Sequence, residues 1–422
     1  MMRSLYSLAM WLVQPLVRRK LHRRAVDEPR YGQDIEQRFG HYEAAAFADR
    51  GGAGIVVWVH AVSLGETRAA AVLIQALRQS YPGMRLLLTH GTATGWEQGS
   101  SLLQPGDVQV WQPWDTPAAV GRFLQTFRPN VGLLMETEVW PNMVAGCQRA
   151  GVPLCLVNAR MSEQSMRKAL QLRWLSRPAY AGLRCVLAQT EDDATRLRAL
   201  GATVQAVTGN LKFDARPDAR LIDHGRQWRA TSIRPVLMFA VSREGEEQML
   251  IDALRRHPAP GVQWLIVPRH PQRFDEVAQL FESAGFSVSR RSGWQQTPVA
   301  ADVWLGDSLG EMALYYGLAD MALLGGSFAP LGGQNLIEAA ACGCPVLMGP
   351  HTFNFAQAAE MAQEAGAALR CQDLPHALEQ ALQVLQDEGR LQALRQTALD
   401  WSQAHRGATQ RTLEALRAPI GR

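Results

Sequence analysis

The chain has 422 residues, too many for one ordinary hydrophobic core, so two domains are expected. With 47% hydrophobic and 19% charged residues it reads as a folded globular protein, not a disordered one. A net charge of +4 gives no support to a nucleic-acid partner. The six cysteines lack CxxC spacing, which argues for a reducing compartment and against a zinc site.

The first element is an apolar run (Leu5, Leu8, Met10, Trp11, Leu12, Val13, Leu16, Val17) followed by Arg18, Arg19, Lys20, His22, Arg23 and Arg24, with no acid before Asp27. The run is shorter than the ~20 residues a spanning helix needs. Its charges follow the apolar stretch, the reverse of a cleaved signal. Residues 1–25 therefore read as a membrane-surface anchor whose basic flank meets anionic lipid and keeps the rest of the chain cytoplasmic. A helix packed on the protein itself is the alternative.

Strands alternating with helices follow, the pattern of parallel α/β sheets. The expected strands of residues 26–214 are 55–61, 85–89, 108–111, 131–135, 154–158, 185–189 and 203–207, with helices such as 67–79 and 141–150. The polar segment 215–234, with Pro217 and several charges, reads as a linker. A second α/β domain takes residues 235–422, with strands 236–240, 263–267, 303–305, 321–324, 345–348 and 367–369 and a helical tail from Leu374. The last helix has the option of packing back on the first domain. The expectation is two Rossmann-like domains whose parallel sheets face each other across a cleft, an α/β architecture of GT-B type.

The chemistry-bearing residues fall at strand ends. Ser63, Gly65 and Glu66 end one strand and open a helix; Glu66 suits a general base, and Ser63-x-x-Glu66 equally suits a helix capping box. Glu136 and Glu138 end another strand beside Trp140, either to stabilise a developing cation or to pair with a base such as Arg160. Arg160 and Lys212 are cations at the same rim, suited to an anionic sugar or phosphate. In the second half, Pro268-Arg269-His270-Pro271-Gln272-Arg273 offers three cations on a stiffened loop, and Arg243 follows the first strand. Gly306-Asp307-Ser308-Leu309-Gly310-Glu311 offers amides and a carboxylate. The loop from Gly325 through Ser327 and Gly333 into Asn335-Leu336-Ile337-Glu338 places glycines before a helix start, suited to phosphate and to a ribose diol. Glu191-Asp192-Asp193 reads as an acidic first helical turn, and the histidines lie on separate loops, so no metal site is expected.

Together these motifs resemble the Kdo transferases (3-deoxy-D-manno-octulosonic acid transferases) of lipopolysaccharide and lipid A synthesis. The resemblance spans nearly the whole chain: His60-x-x-Ser63-x-Gly65-Glu66, Glu136-Thr137-Glu138-x-Trp140-Pro141-Asn142, Asn158-Ala159-Arg160-x-Ser162, Gly209-Asn210-x-Lys212-x-Asp214, Pro268-Arg269-His270-Pro271, Gly306-Asp307-Ser308-x-Gly310-Glu311-Met312 and the block from Gly325 to Phe355. It implies a GT-B fold, CMP-Kdo as donor, a lipid A precursor (lipid IVA) as acceptor, metal independence without a cofactor, and attachment to the cytoplasmic side of the inner membrane. It implies Glu66 as base, Glu136 or Glu138 and Lys212 in transition-state stabilisation, and Pro268, Arg269, Leu309, Gly310, Glu311 and Asn335 to Glu338 as donor contacts. Ser242-Arg243-Glu244 departs from the Thr-His-Glu of many members, and Thr89-His90-Gly91-Thr92 departs from a Thr/Ser-rich loop. The competing expectations are another nucleotide-sugar GT-B enzyme (a UDP-sugar transferase or an epimerase) and a non-catalytic nucleotide-binding module on a membrane surface.

Overall fold

The computed structural model describes residues 2–42 and 54–421. The chain divides into two compact units, Met1–Asp214 with Arg406–Arg422, and Ala215–His405. Each is built on a seven-stranded, all-parallel sheet.

In the first unit the strands are β1 Val56–His60, β2 Arg85–His90, β3 Val108–Trp111, β4 Val131–Met135, β5 Leu154–Ala159, β6 Cys185–Ala188 and β7 Val204–Val207, in the order β3-β2-β1-β4-β5-β6-β7. The strands are near-continuous apolar runs because helices cover both faces. Trp58 on β1 is fully buried and donates from Nε1 to Thr89 Oγ1 at 2.8 Å. Gly132 lies opposite it on β4, where an added Cβ would come within 2.7 Å of the indole. Strand order reverses between β1 and β4, and at such a reversal the loops leaving the carboxyl ends diverge and leave a crevice. Those two loops carry Ser63 to Glu66 and Glu136 to Trp140.

In the second unit the strands are β8 Val236–Ser242, β9 Gln263–Pro268, β10 Val288–Arg290, β11 Val303–Leu305, β12 Met321–Leu324, β13 Val346–Met348 and β14 Ala368–Arg370, in the order β10-β11-β9-β8-β12-β13-β14. The three-residue β10, Val-Ser-Arg, lies at the sheet edge and carries no apolar run, so the sequence reading passed over it. Val241 has φ 58°, a strained value for a β-branched residue, where β8 shifts register against β9. Gly325 answers that bulge: a Cβ there would lie 2.2 Å from the Val241 carbonyl oxygen.

Two expected segments differ, and the last helix takes the option of packing back on the first domain. The N-terminal run is two helices, Met2–Leu12 and Gln14–Asp27. The second packs Leu21 with Tyr31, Ile35, Phe39 and Ala93, so it belongs to the first unit's structure as well as to its surface. The segment expected as a linker is largely the helix Ala219–Thr231, which belongs to the second unit. It packs closely on the helix Met312–Leu318 because both carry glycine at the crossing: a Cβ on Gly225 would meet Leu314 O at 2.1 Å, and one on Gly317 would meet Ile222 O at 2.4 Å. The helix Ala408–Ile420 belongs to the first unit, where Leu416 and Ile420 join the core around β4 and β5. Asp214 secures its start by accepting from Gly407 N at 2.6 Å and from Thr409 N.

Gly225→Ala is expected to cost about 1–3 kcal/mol by overpacking this backbone contact. Gly121→Ala, in open space on the helix Pro117–Phe127, is expected to gain roughly 0.5–1 kcal/mol. Denaturant unfolding of both variants checks the contrast; equal effects would refute the close-approach account.

Candidate active site

The helix Leu64–Ser80 begins where β1 ends, and Ser63 caps it by accepting from Glu66 N. The Glu66 carboxylate turns back to accept from Val62 N at 2.8 Å and from Ser63 Oγ at 3.3 Å. The capping arrangement and the half-buried acid therefore coexist in one residue. Burial, then the neighbouring charge of Glu136, pushes the Glu66 carboxyl up to about 7, and Glu138 adds to the effect. A carboxyl with that pKa is suited to exchange a proton near neutrality.

Glu136 follows β4 with φ 56° and is 2% exposed. Lys212 Nζ lies 2.9 Å from one carboxylate oxygen and Arg160 Nε 2.7 Å from the other. Burial alone would raise this carboxyl, but the two cations outweigh it and hold it below the usual range. Lys212 is delivered by the short 3₁₀ turn Leu211–Asp214, which Asn158 at the end of β5 anchors by accepting from Leu211 N at 3.0 Å. Glu138 takes a different path: it accepts from Trp140 Nε1 at 2.8 Å, and burial raises its carboxyl. The two strand-end acids thus do not share a partner, and the left-handed turn at Glu136 ends the strand geometry between them.

The second unit has a different internal order from that expected. Glu246 is fully buried and accepts from Gly326 N at 2.6 Å, from Phe328 N and Ala329 N at 3.2 Å, and from Arg243 N at 3.0 Å. The first amides of the glycine loop are therefore already engaged by an internal carboxylate. Ser327, also fully buried, donates to Leu324 O and accepts from Gly349 N at 2.8 Å, so it ties loops together. Arg273, one of the three cations expected to meet phosphate, is instead held bidentate by buried Glu247 at 2.9 and 3.1 Å. Arg243, which pairs with Glu244 at 3.0 Å, lies with Arg269 close enough to His270 to act on it: burial, then these two charges, lowers the His270 pKa. Glu311 pairs with Arg291 at 2.8 Å and accepts from Ser308. Leu309 is exposed and Gly310 has φ 80°. Asn335 caps the short helix Leu336–Ala341 by accepting from Ile337 N at 3.2 Å, with Glu338 one turn on. Leu336 and Ile337 are buried, so their side chains serve the core.

Sequence reasoning passed over Asp115 and Glu246. Asp115 accepts from Tyr6, from Asn142 N at 3.0 Å and from Met143 N at 2.8 Å, joining the first helix to the Glu138 loop. Neither acid lies in a telling spacing; only the fold shows which amides they meet. Among the described residues no group of three or more His, Cys, Asp or Glu side chains is placed to hold a metal ion.

Glu136 ionises more readily folded than unfolded. It therefore stabilises the fold above the ordinary carboxylate pKa, and this stabilisation is lost as pH falls through its own lowered value. Lys212→Met is expected to cost about 3 kcal/mol at pH 7 by leaving Glu136 with Arg160 alone. The cost should shrink strongly in acid; urea unfolding at both pH values checks it, and an unchanged cost would contradict the ion-pair account.

A family model described as 3-Deoxy-D-manno-octulosonic-acid transferase (kdotransferase) matches residues 33–215. The 3-deoxy-D-manno-octulosonic acid transferase of Bordetella pertussis is 48% identical over 435 residues, covering 99% of this chain and 100% of that protein. The enzyme of the same name from Haemophilus influenzae is 31% identical over 431 residues, covering 100% of both. Among solved structures, the UDP-GlcNAc 2-epimerase of Neisseria meningitidis superposes with a TM-score of 0.57 at 14% identity, covering 86% of this chain and 100% of that one. That likeness shows a shared fold of two Rossmann-like α/β units, the GT-B type. On the strength of its full-length relatives, the chain belongs to the 3-deoxy-D-manno-octulosonic acid transferase family.

Proposed function

We propose that the protein transfers Kdo from CMP-Kdo to a hydroxyl of a lipid A precursor, lipid IVA, in lipopolysaccharide synthesis. The observation that carries the reading is Glu66, a carboxyl poised near pH 7 beside the Glu136–Lys212–Arg160 cluster, in a chain of this family. Glu66 takes the proton from the acceptor hydroxyl as its oxygen bonds to the anomeric carbon of Kdo. The bond from that carbon to the CMP phosphate breaks, and configuration inverts. Charge develops as in other glycosyl transfers, through an oxocarbenium-like state. Glu136 and Lys212 set the field around the base, with Glu138 beside them. Arg269, with Arg243 and His270, meets the departing phosphate, while Pro268, Leu309 to Glu311 and Asn335 to Glu338 hold the nucleotide. These cations supply the charge, so the reading requires no metal and no cofactor.

A carboxyl raised to about 7 is protonated below that pH and cannot accept a proton. The kcat/KM of the wild-type protein should therefore fall tenfold per pH unit below about 7. Glu66→Gln should lose about 100- to 10,000-fold in rate while CMP-Kdo still binds. The assay is purified protein with CMP-Kdo and lipid IVA in EDTA, with products resolved by mass. Turnover by Glu66→Gln at the wild-type rate would remove Glu66 from the mechanism. Turnover only with a UDP-sugar, or binding without turnover, would replace the reading.

We also propose that the first unit docks on the cytoplasmic face of the inner membrane. No helix of the described residues is long and apolar enough to cross a membrane. The helix Met2–Leu12 buries none of its residues and exposes Leu5, Leu8, Trp11 and Leu12, with Leu16 just beyond. It touches the helix Arg173–Ala181, beside which Leu170, Leu172 and Trp174 are exposed among Arg167, Lys168, Arg173 and Arg177. Apolar side chains ringed by cations suit an anionic bilayer surface. Replacing Leu5, Leu8, Trp11 and Leu12 together by Ser should abolish co-flotation with phosphatidylglycerol vesicles without changing the melting temperature. Undiminished flotation would refute the surface.

A further inference from the structure

The second unit has a cavity of about 310 Å³ at the amino ends of its strands, the end of the sheet away from the loops proposed to hold the nucleotide. Ala319 and Gly343, both in its wall, lie just before β12 and β13. The rest of the wall comes from the helices Ala219–Thr231, Met312–Leu318 and Glu388–Ala404. The glycine contact described above brings the first two helices together. Gly343, with φ 74°, lets the third approach, since a Cβ there would lie 3.2 Å from Leu399. Arg226, Arg229 and Arg395 line the space, and among the described residues no carboxylate does.

Two of the three guanidinium groups are fixed in advance. Asp320, buried behind the wall, accepts from Arg229 Nε and from Arg395 Nη2 at 2.5 Å each, and from Val236 N at 2.8 Å. Its two oxygens thus hold arginines from two helices side by side. Arg229 also donates from Nη1 to Ser232 O at 3.0 Å. Among the described residues Nη2 of Arg229, and Nε and Nη1 of Arg395, have no hydrogen-bond partner. Both side chains keep more than a quarter of their surface in solvent, 28% and 27%, so these donors are reachable. Arg226 meets Asp223 at 3.5 Å in an exposed pair, a contact worth little. One buried carboxylate needs one cation to neutralise it, so the cluster carries positive charge beyond that need.

We infer that this cavity binds a free phosphate dianion through Arg226, Arg229 and Arg395. Planar guanidinium donors match phosphate oxygens, and the Asp320 clamp sets two of them before the anion arrives. Among the described residues the wall exposes no large apolar side chain, which argues for a free anion and against a lipid headgroup. A bound phosphate would join the helix that follows the chain's first crossing between the units, Ala219–Thr231, to the one that precedes the second, Glu388–Ala404. It would add to the tie that Asp320 already makes, and a ligand held only by the folded state stabilises it. The inference does not rest on the transferase reading, since no residue assigned to transfer lines this cavity.

The test is calorimetric titration of the full chain with inorganic phosphate at constant ionic strength, with saturating CMP present to occupy the donor loops. One saturable phosphate per chain is expected, and the melting temperature should rise with phosphate under the same conditions. Arg395→Gln should weaken binding by about 10- to 100-fold, the worth of charged hydrogen bonds. Arg226→Gln leaves both arginines on Asp320 and should weaken binding as well, which covers the case of a poorly folding Arg395→Gln. Arg226→Lys keeps the charge and should recover most of the affinity. Absence of saturable binding, or binding that both glutamine variants retain, would overturn the site. Binding seen only without CMP would assign the anion to the donor loops and likewise overturn it. An equal rise in melting temperature with chloride would reduce the effect to general screening, with the same consequence.

Discussion

Glu136 is a carboxylate almost wholly removed from water, and the rest of the first unit's rim is arranged around making that tolerable. An isolated buried charge would cost several kcal/mol. Lys212 arrives from the turn after β7, Arg160 from the end of β5, and Glu136 itself from the end of β4, so a single ion cluster fixes three strand ends relative to one another. Asn158, with its own left-handed backbone, holds the turn that delivers Lys212. The cluster also acts beyond its members. Its negative end adds to burial in raising Glu66, and this separates the two acids: one stays ionised beside its cations, the other is poised to exchange a proton. Pairs of carboxyls pushed apart in this way are a common mark of acid–base sites.

The second unit solves a similar problem with the opposite economy of charge. Glu246 sits among backbone amides of the glycine loop and the β8 loop, and Glu247 is clamped by Arg273 and Ser242. Buried acids here organise loops, and they draw in Arg273, one of the cations on the loop after β9. Val241 and Gly325 show the backbone side of the same arrangement, since the strained bulge at the end of β8 requires a residue without Cβ opposite it. The loop geometry proposed to hold a nucleotide is thus maintained by residues that need not touch one.

Much of this was legible in the linear pattern. Apolar runs ending at Glu66, Glu136, Arg160 and Lys212 mark parallel strands whose carboxyl ends gather polar side chains, and thirteen of the fourteen strands coincide with such runs. The exception, Val288–Arg290, is a three-residue edge strand with a single apolar residue. The polar segment 215–234 misled because its helix is buried along a glycine contact instead of an apolar stripe. Arg273 and Ser327 misled because a cation or hydroxyl in a promising loop looks the same whether it faces a ligand or an internal partner.

Residue order alone settles local matters here: which runs are strands, where glycine permits a turn, which side chains end up at strand ends, and which family the motifs resemble. Those follow from periodicity and steric rules acting over a few residues. Pairing across the chain is another matter. That Lys212 closes on Glu136, that Glu246 occupies the glycine loop's amides, and that the last helix returns to Asp214 all depend on residues far apart in sequence becoming neighbours. Charge and burial act through distance in space, so the proton affinity of Glu66 exists only once the chain has folded.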